Sequence, residues 1–200
     1  DVPIVMEEVR EILRNKEAGI PVYKVKTLDN VFETKTLIIA SGAYSKKLAV
    51  GGEAKFLGRG VSYCGTCDGP FFKGKEILVV GGGDRAIEEA IFLTSYAKKV
   101  TLLHRRQQFR AAKILEEKAK ENPKIIFMLN SIIEEICGEI KVESAVIKNI
   151  TDGSRIKYSC DGVFIFVGIE PNTAFLKNIF PLDESGFIIT DQEMKTNQAG

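Results

Sequence analysis

Histidine and cysteine are scarce in this sequence: one His and four Cys in 200 residues. Four cysteines are too few for a secreted domain stapled by disulfides. A net charge of +1 leaves no broad field to draw in nucleic acid or an anionic membrane. No apolar run approaches the roughly 18–20 residues of a membrane span. No signal peptide is visible, and because the chain opens on Asp1 its true beginning is expected upstream. These absences lead to the expectation of a cytoplasmic protein. What is present is an ordinary globular composition, 44% hydrophobic and 28% charged, with enough apolar mass for a core.

The segment 3–19 spaces Ile4, Val5, Val9, Ile12 and Leu13 at helical intervals, and Gly19 suits its end; a helix is expected there. "PVYKVKT" and "TLIIASGA" read as strands. Tyr44–Gly60 is Gly-rich and charged without apolar periodicity, which reads as a linker or hinge. Then comes a buried-type strand, "EILVV" at 76–80. A helix of about 83–97, a strand at 99–104, a helix near 109–121 and strands near 124–130, 142–150 and 162–168 follow. Strand alternating with helix is the rhythm of a parallel sheet, hence an α/β fold.

After the 76–80 strand stands "GGGDRAIEEA". Gly81, Gly83 and Ala86 make a G-x-G-x-x-A pattern at a strand-to-helix turn. Gly81 permits the tight turn, Gly83 lets backbone approach a pyrophosphate, and Ala86 lets the helix pack close to the strand. The helix N-terminus offers N–H groups to phosphate. A lone match is weak, but here it sits between a strand and a helix, as a dinucleotide site requires. The next strand ends in "LLHRRQQFRAAK" rather than in the acid that binds an NAD ribose. Arg105, Arg106 and Arg110 suit the extra 2′-phosphate of NADP. His104 reads as shaping that cofactor-binding loop rather than as a catalyst.

Upstream lies "SYCGTCDGPFF". Zinc wants four ligands and this C-x-x-C supplies two, with Cys137 and Cys160 far off at unpaired spacing. A thioredoxin fold would start a long helix at the dithiol, whereas Gly69 and Pro70 interrupt almost at once. Cys64 and Cys67 therefore read as a redox pair on a short turn. Cys137 and Cys160 read as inert core thiols. Asp68 is placed to manage a proton at the second sulfur if burial favours its neutral form; the plainer alternative is a turn aspartate before Gly-Pro. A nicotinamide gives hydride and a disulfide takes electrons, and the usual bridge is a flavin. No second glycine fingerprint is present to hold one.

The run "GRGVSYCGTCDGPFF", "GGGDRAIEEA", "VTLLHRRQQFRAAKIL" and "GIEPNT" resembles the low-molecular-weight (bacterial-type) thioredoxin reductase family, most specifically from Thr36 to Gly200. The resemblance implies a Rossmann-like NADPH domain, residues 46–170, inserted into a partial Rossmann-like FAD domain whose pieces are 1–45 and 171–200. The family's N-terminal FAD fingerprint and C-terminal Gly-Asp segment are absent, so the chain reads as partial. It implies a homodimer that passes electrons from NADPH through FAD to the dithiol and on to thioredoxin. Cys64 matches the sulfur that attacks thioredoxin, Cys67 the one facing the flavin, and Asp68 the proton donor beside it. Gly81, Gly82, Gly83, Asp84, Arg85 and Ala86 match the pyrophosphate turn. Arg105, Arg106 and Arg110 match the 2′-phosphate binders, and Glu88 matches a carboxylate near the nicotinamide. The family's domains are thought to rotate against each other, and Tyr44–Gly60 suits one hinge. A flavoprotein that reduces a peroxiredoxin, or a non-catalytic NADP-binding redox sensor, stays open as an alternative.

Two positions depart from the family pattern. Gly52 replaces a proline, which is expected to loosen the hinge. Arg85 replaces Ser or Thr at the helix start, where a cation opposes the dipole but is able to clamp a pyrophosphate. Arg85→Ser is expected to make NADPH affinity less salt-dependent when binding is titrated across a series of ionic strengths. An unchanged slope would mean that Arg85 points away from the cofactor.

Overall fold

The computed structural model describes residues 3–17 and 20–198, and the chain divides into two compact units: Asp1–Tyr44 with Ile169–Gly200, and Ser45–Gly168.

The first unit opens with an antiparallel hairpin, β1 (Glu11–Glu17) and β2 (Ile20–Lys26), extended by β3 (Val31–Thr34). The helix expected over 3–19 is absent among the described residues; Gly19 lies outside them. Pairing along β2, from Glu11 opposite Lys26 through Leu13 opposite Lys24, overrides the helical spacing. Ile12 goes inward with Tyr23 to join Leu176 and Phe180 in a small core, while Ile4 and Met6 stay exposed. The strand expected at 36–43 shrinks to β4 (Ala43–Ser45), and Ile38 is almost fully exposed.

The second unit begins with β5 (Val61–Ser62), followed by the short helix α1 (Gly65–Asp68) and a 3₁₀ turn, Gly69–Phe72. Next come β6 (Glu76–Gly81), α2 (Asp84–Leu93), β7 (Lys99–Leu103), α3 (Lys113–Glu121) and β8 (Ile125–Met128). The antiparallel strands β9 (Ser131–Cys137), β10 (Ser144–Asn149) and β11 (Arg155–Ser159) precede β12 (Gly162–Phe166). The parallel sheet has the order β5-β12-β6-β7-β8. From β6 the chain steps outward through β7 to β8, then returns to place β12 on the other flank of β6. The strand order therefore reverses between β6 and β12, and in such sheets ligands bind at the carboxyl ends of the strands around that point.

Both faces of this sheet are covered, which is why β6, β7 and β12 are nearly continuous apolar runs. On one face Ile77, Val79, Leu102 and Phe164 pack under Ile87, Ala90 and Leu93 of α2. On the other, Leu78, Val80, Leu103 and Ile165 meet Ile133, Ile136 and Ile147 of the antiparallel strands. Each such side chain, fully buried, contributes roughly 1.5–3 kcal/mol relative to exposure. Cys160 lies in this second layer, where burial pushes its thiol up to about 12, whereas Cys137 at the end of β9 is only half-buried.

The segment read as a loose linker is folded. Gly52 holds φ +82°, and a Cβ there would lie 2.0 Å from the carbonyl oxygen of Ile136. Ile136 N–H donates to Gly51 O at 2.8 Å. Proline cannot adopt that φ, so Gly52 fixes a turn against β9 and does not loosen a hinge. Phe56 is buried in the second layer. Glu53, 4% exposed, accepts from the amides of Leu48 (2.9 Å) and Ala49 (2.7 Å) and from the Tyr63 hydroxyl (2.7 Å). Tyr63 is pushed well above the usual phenol range, first by burial and then by Glu53. The chain returns to the first unit through β13 (Ile169–Pro171), which pairs with β4, so the two crossings run side by side. Glu53→Ala, which strands two amides and a hydroxyl, is expected to cost about 2–4 kcal/mol. Urea unfolding followed by circular dichroism checks this, with Glu53→Gln losing less.

Candidate functional site

Three consecutive glycines close the end of β6, and each has a different reason to be glycine. A Cβ at Gly81 would lie 2.4 Å from Phe166 O and 2.5 Å from the Ala86 Cβ, so strand, helix and the end of β12 meet there without space for a methyl. A Cβ at Gly82 would fall 2.2 Å from the His104 ring. At Gly83 nothing lies within 4 Å. The fold does not demand glycine at Gly83, but a phosphate pressing on the backbone would. Gly83 caps α2, whose first amides are among the donors that a helix leaves unsatisfied.

The basic loop after β7 is fastened to this turn. Arg110 N–H donates to Gly82 O at 2.8 Å, and Ala112 N–H donates to the Asp84 carboxylate at 2.7 Å. Asp84 is thus a staple between the start of α2 and the start of α3, and α3 begins at Lys113 rather than near 109 for that reason. His104 is the buried floor of the loop, 6% exposed and stacked on Phe109 at 5.3 Å. Its Nε2 has no partner. Burial first, with Arg106, Arg110 and Arg105 adding repulsion, pushes the imidazole below its usual range despite a bond to the Gln108 backbone. The burial of the ring therefore favours the neutral imidazole. Arg105, Arg106 and Arg110 are exposed and enter no ion pair among the described residues. An open glycine, a helix start and three unpaired guanidinium groups on one loop are a fitting donor set for a phosphorylated dinucleotide.

Arg85 leans the other way. Its guanidinium lies 5.4 Å from the Phe166 ring centroid and 3.5 Å from Tyr63 O. Glu88, one turn further along α2, is exposed.

Cys64 and Cys67 form a disulfide with their Cα atoms 5.3 Å apart. Cys64 caps α1, its sulfur accepting from Cys67 N–H at 3.2 Å, and Ser62 braces the turn through Cys64 N–H at 3.0 Å and Cys64 O at 3.1 Å. The turn sits on α2 through two glycines. A Cβ at Gly65 would lie 2.1 Å from the Glu89 carboxyl, and one at Gly69 would lie 3.1 Å from Leu93 and 3.2 Å from Tyr96. Asp68 is half-buried, and its carboxyl makes no capping bond to the following 3₁₀ turn. Ser62, Tyr63, Glu53 and Glu89 carry no motif signal; only the packing reveals them. Helix α2 thus holds the phosphate turn at its start and the dithiol turn along its side. Among the described residues no hydrogen bond or ion pair joins the dithiol turn to the three arginines. No helix among them is long and apolar enough to cross a membrane.

Fold and site together define an α/β unit in which one helix seats both a glycine-rich strand-to-helix turn and a disulfide. Residues 5–200 match the model of the pyridine nucleotide-disulphide oxidoreductase family, and the chain belongs to that family. It is 47% identical over 175 residues to a thioredoxin reductase of Peptoclostridium acidaminophilum, covering 84% of this chain and 56% of that protein. It is 44% identical over 194 residues to one of Listeria monocytogenes, covering 96% and 60%. The Lactococcus lactis thioredoxin reductase structure superposes with a TM-score of 0.83 at 42% identity, covering 96% of this chain and 62% of that one. The chain thus spans about three-fifths of the length of these relatives.

Gly82→Ala is expected to drive the His104 ring out of its seat and tilt the basic loop. NADP⁺ affinity, measured by calorimetry, is expected to fall about tenfold, roughly 1.4 kcal/mol, while Gly83→Ala hurts affinity but leaves thermal stability intact.

Proposed function

We propose that the complete protein is a thioredoxin reductase that carries electrons from NADPH, through FAD, to the Cys64–Cys67 disulfide and on to thioredoxin. The observation that carries the reading is the seating of both the phosphate turn and the dithiol turn on α2. The names of the relatives support it. On this reading Ser45–Gly168 corresponds to the NADPH domain, expected at 46–170. The first unit, Asp1–Tyr44 with Ile169–Gly200, is then the FAD-domain part, expected at 1–45 and 171–200. The whole protein acts as a homodimer in the cytoplasm.

Gly83 and the start of α2 hold the pyrophosphate, with Gly81, Gly82, Asp84 and Ala86 shaping the turn and His104 supporting the loop. Arg105, Arg106 and Arg110 take the 2′-phosphate, while Arg85 flanks the turn and Glu88 lies near the nicotinamide. The first unit offers no glycine-rich strand-to-helix turn among the described residues, and no residue of this chain is assigned to the flavin. A bound flavin supplies the exchange of hydride for electron pairs that sulfur accepts.

The sulfur chemistry belongs to the chain's own residues. Reduction adds two electrons, breaks the Cys64–Cys67 bond and leaves two thiolates, of which Cys67 takes a proton from Asp68. The Cys64 thiolate then attacks a sulfur of thioredoxin's disulfide and expels the other as a thiolate. Cys67, giving its proton back to Asp68, attacks Cys64 in the mixed disulfide, re-forms the pair and releases the partner's second sulfur as a thiolate that takes up a proton.

In the complete protein, Cys64→Ser with Cys67→Ser is expected to lower NADPH-driven thioredoxin reduction at least a hundredfold, while NADPH still bleaches the flavin absorbance. Undiminished turnover in the double variant, or a complete protein without flavin, would overturn the proposal.

A further inference from the structure

The sequence "EEA" in α2 places two acids side by side, and the fold treats them oppositely: Glu88 is exposed, whereas the Oε2 of Glu89 is buried without a hydrogen-bond partner. That oxygen is wedged against Gly65, the residue after Cys64, so closely that an alanine there would meet it at 2.1 Å. Apart from the phosphate-loop histidine, it is the one buried orphan polar atom of the second unit among the described residues. An orphaned carboxylate is costly to bury, and a neutral carboxylic acid far less so.

We infer that Glu89 is a positioning residue for the Cys64–Cys67 couple: a carboxyl lodged under the dithiol turn whose own charge governs how readily the reduced sulfurs become thiolates. The inference rests on Cys64 and Cys67 being a redox pair. Glu89 forms no bond to sulfur. When the disulfide opens, two electrons come to rest on the two sulfurs and protons follow from solvent or Asp68. A neutral Glu89 does not oppose negative charge there; an ionised Glu89 repels it and keeps the thiols protonated to higher pH.

The surroundings favour the neutral form at the outset. Burial raises the Glu89 carboxyl above its usual range and Glu88 adds to this, while Arg85 pulls against them. The dithiol turn opposite contributes Cys64, Cys67 and Asp68. The strands under α2 present Ile77, Val79, Leu102, Phe164 and Phe166, with no charge among them. α3, on the flank of α2, carries Lys113, Glu116, Glu117, Lys118, Lys120 and Glu121.

The test uses the 200-residue chain reduced with dithiothreitol, with iodoacetamide alkylation of Cys64 and Cys67 read by mass spectrometry from pH 5 to 9. Wild type and Glu89→Gln are expected to coincide near pH 5. The variant is then expected to react roughly three- to tenfold faster as pH rises through the ionisation of Glu89. Superimposable profiles overturn the inference, as does a variant that is faster by a constant factor down to pH 5. Should Glu89→Gln not fold, ¹³C-glutamate NMR on the unmutated chain decides. One carboxyl is expected to titrate above the usual glutamate range while the thiols are still protonated, and a Glu89 carboxyl that titrates within the usual range overturns the inference. Failure of dithiothreitol to open the disulfide would instead sink the redox reading itself.

Discussion

The closure of β6 onto α2 through the missing Cβ of Gly81 is the contact on which the rest depends. It brings the Ala86 methyl and the Phe166 carbonyl to the same point, and so fixes the helix start at the place where the strand order reverses. Everything functional is then measured from α2. Gly83 at its cap is left open, the basic loop is tied down by Asp84 and by the Gly82 carbonyl, and the dithiol turn rests on Glu89, Leu93 and Tyr96. A shift of this helix would move all three parts together, which couples features far apart in the sequence.

Small residues and buried polar groups divide the work in this unit. Glycines at 65, 69, 81 and 82 make room for specific neighbours, and Gly52 supplies a backbone angle as well. Glu53 does the complementary task for a segment without apolar periodicity, gathering two amides and the Tyr63 hydroxyl around one carboxylate. Tyr63 precedes Cys64, so the folded segment 46–60 and the dithiol turn adjoin through one hydrogen bond, from the Tyr63 hydroxyl to Glu53.

What could be read from sequence followed from burial on both faces. β6, β7 and β12 are continuous apolar runs, and the glycine turn between β6 and α2 stands where such a motif has meaning, so the parallel sheet and its phosphate turn were legible. The pairing of β1 with β2 was not, because Ile12 and Leu13 fit a helix until β2 pairs with them. β9 escaped because the adjacent Glu134 and Glu135 interrupt its alternation, whereas the alternation of Arg155, Ile156, Lys157, Tyr158 and Ser159 in β11 was there to be read. Ile38 and Ile39 looked like strand yet Ile38 faces outward. Within the site, nothing in "EEA" distinguishes Glu88 from Glu89; the difference arises only when Gly65 comes to lie on one of them.

The two crossings at β4 and β13 have a consequence for synthesis. Ile12 and Tyr23 bury themselves against Leu176 and Phe180, which leave the ribosome only after the whole of Ser45–Gly168. The inserted unit has all its partners in one contiguous stretch and is able to complete itself during translation. The sheet of β1, β2 and β3 must meanwhile wait with the face that Leu176 and Phe180 cover still open, and over that interval it is exposed to aggregation or chaperone capture.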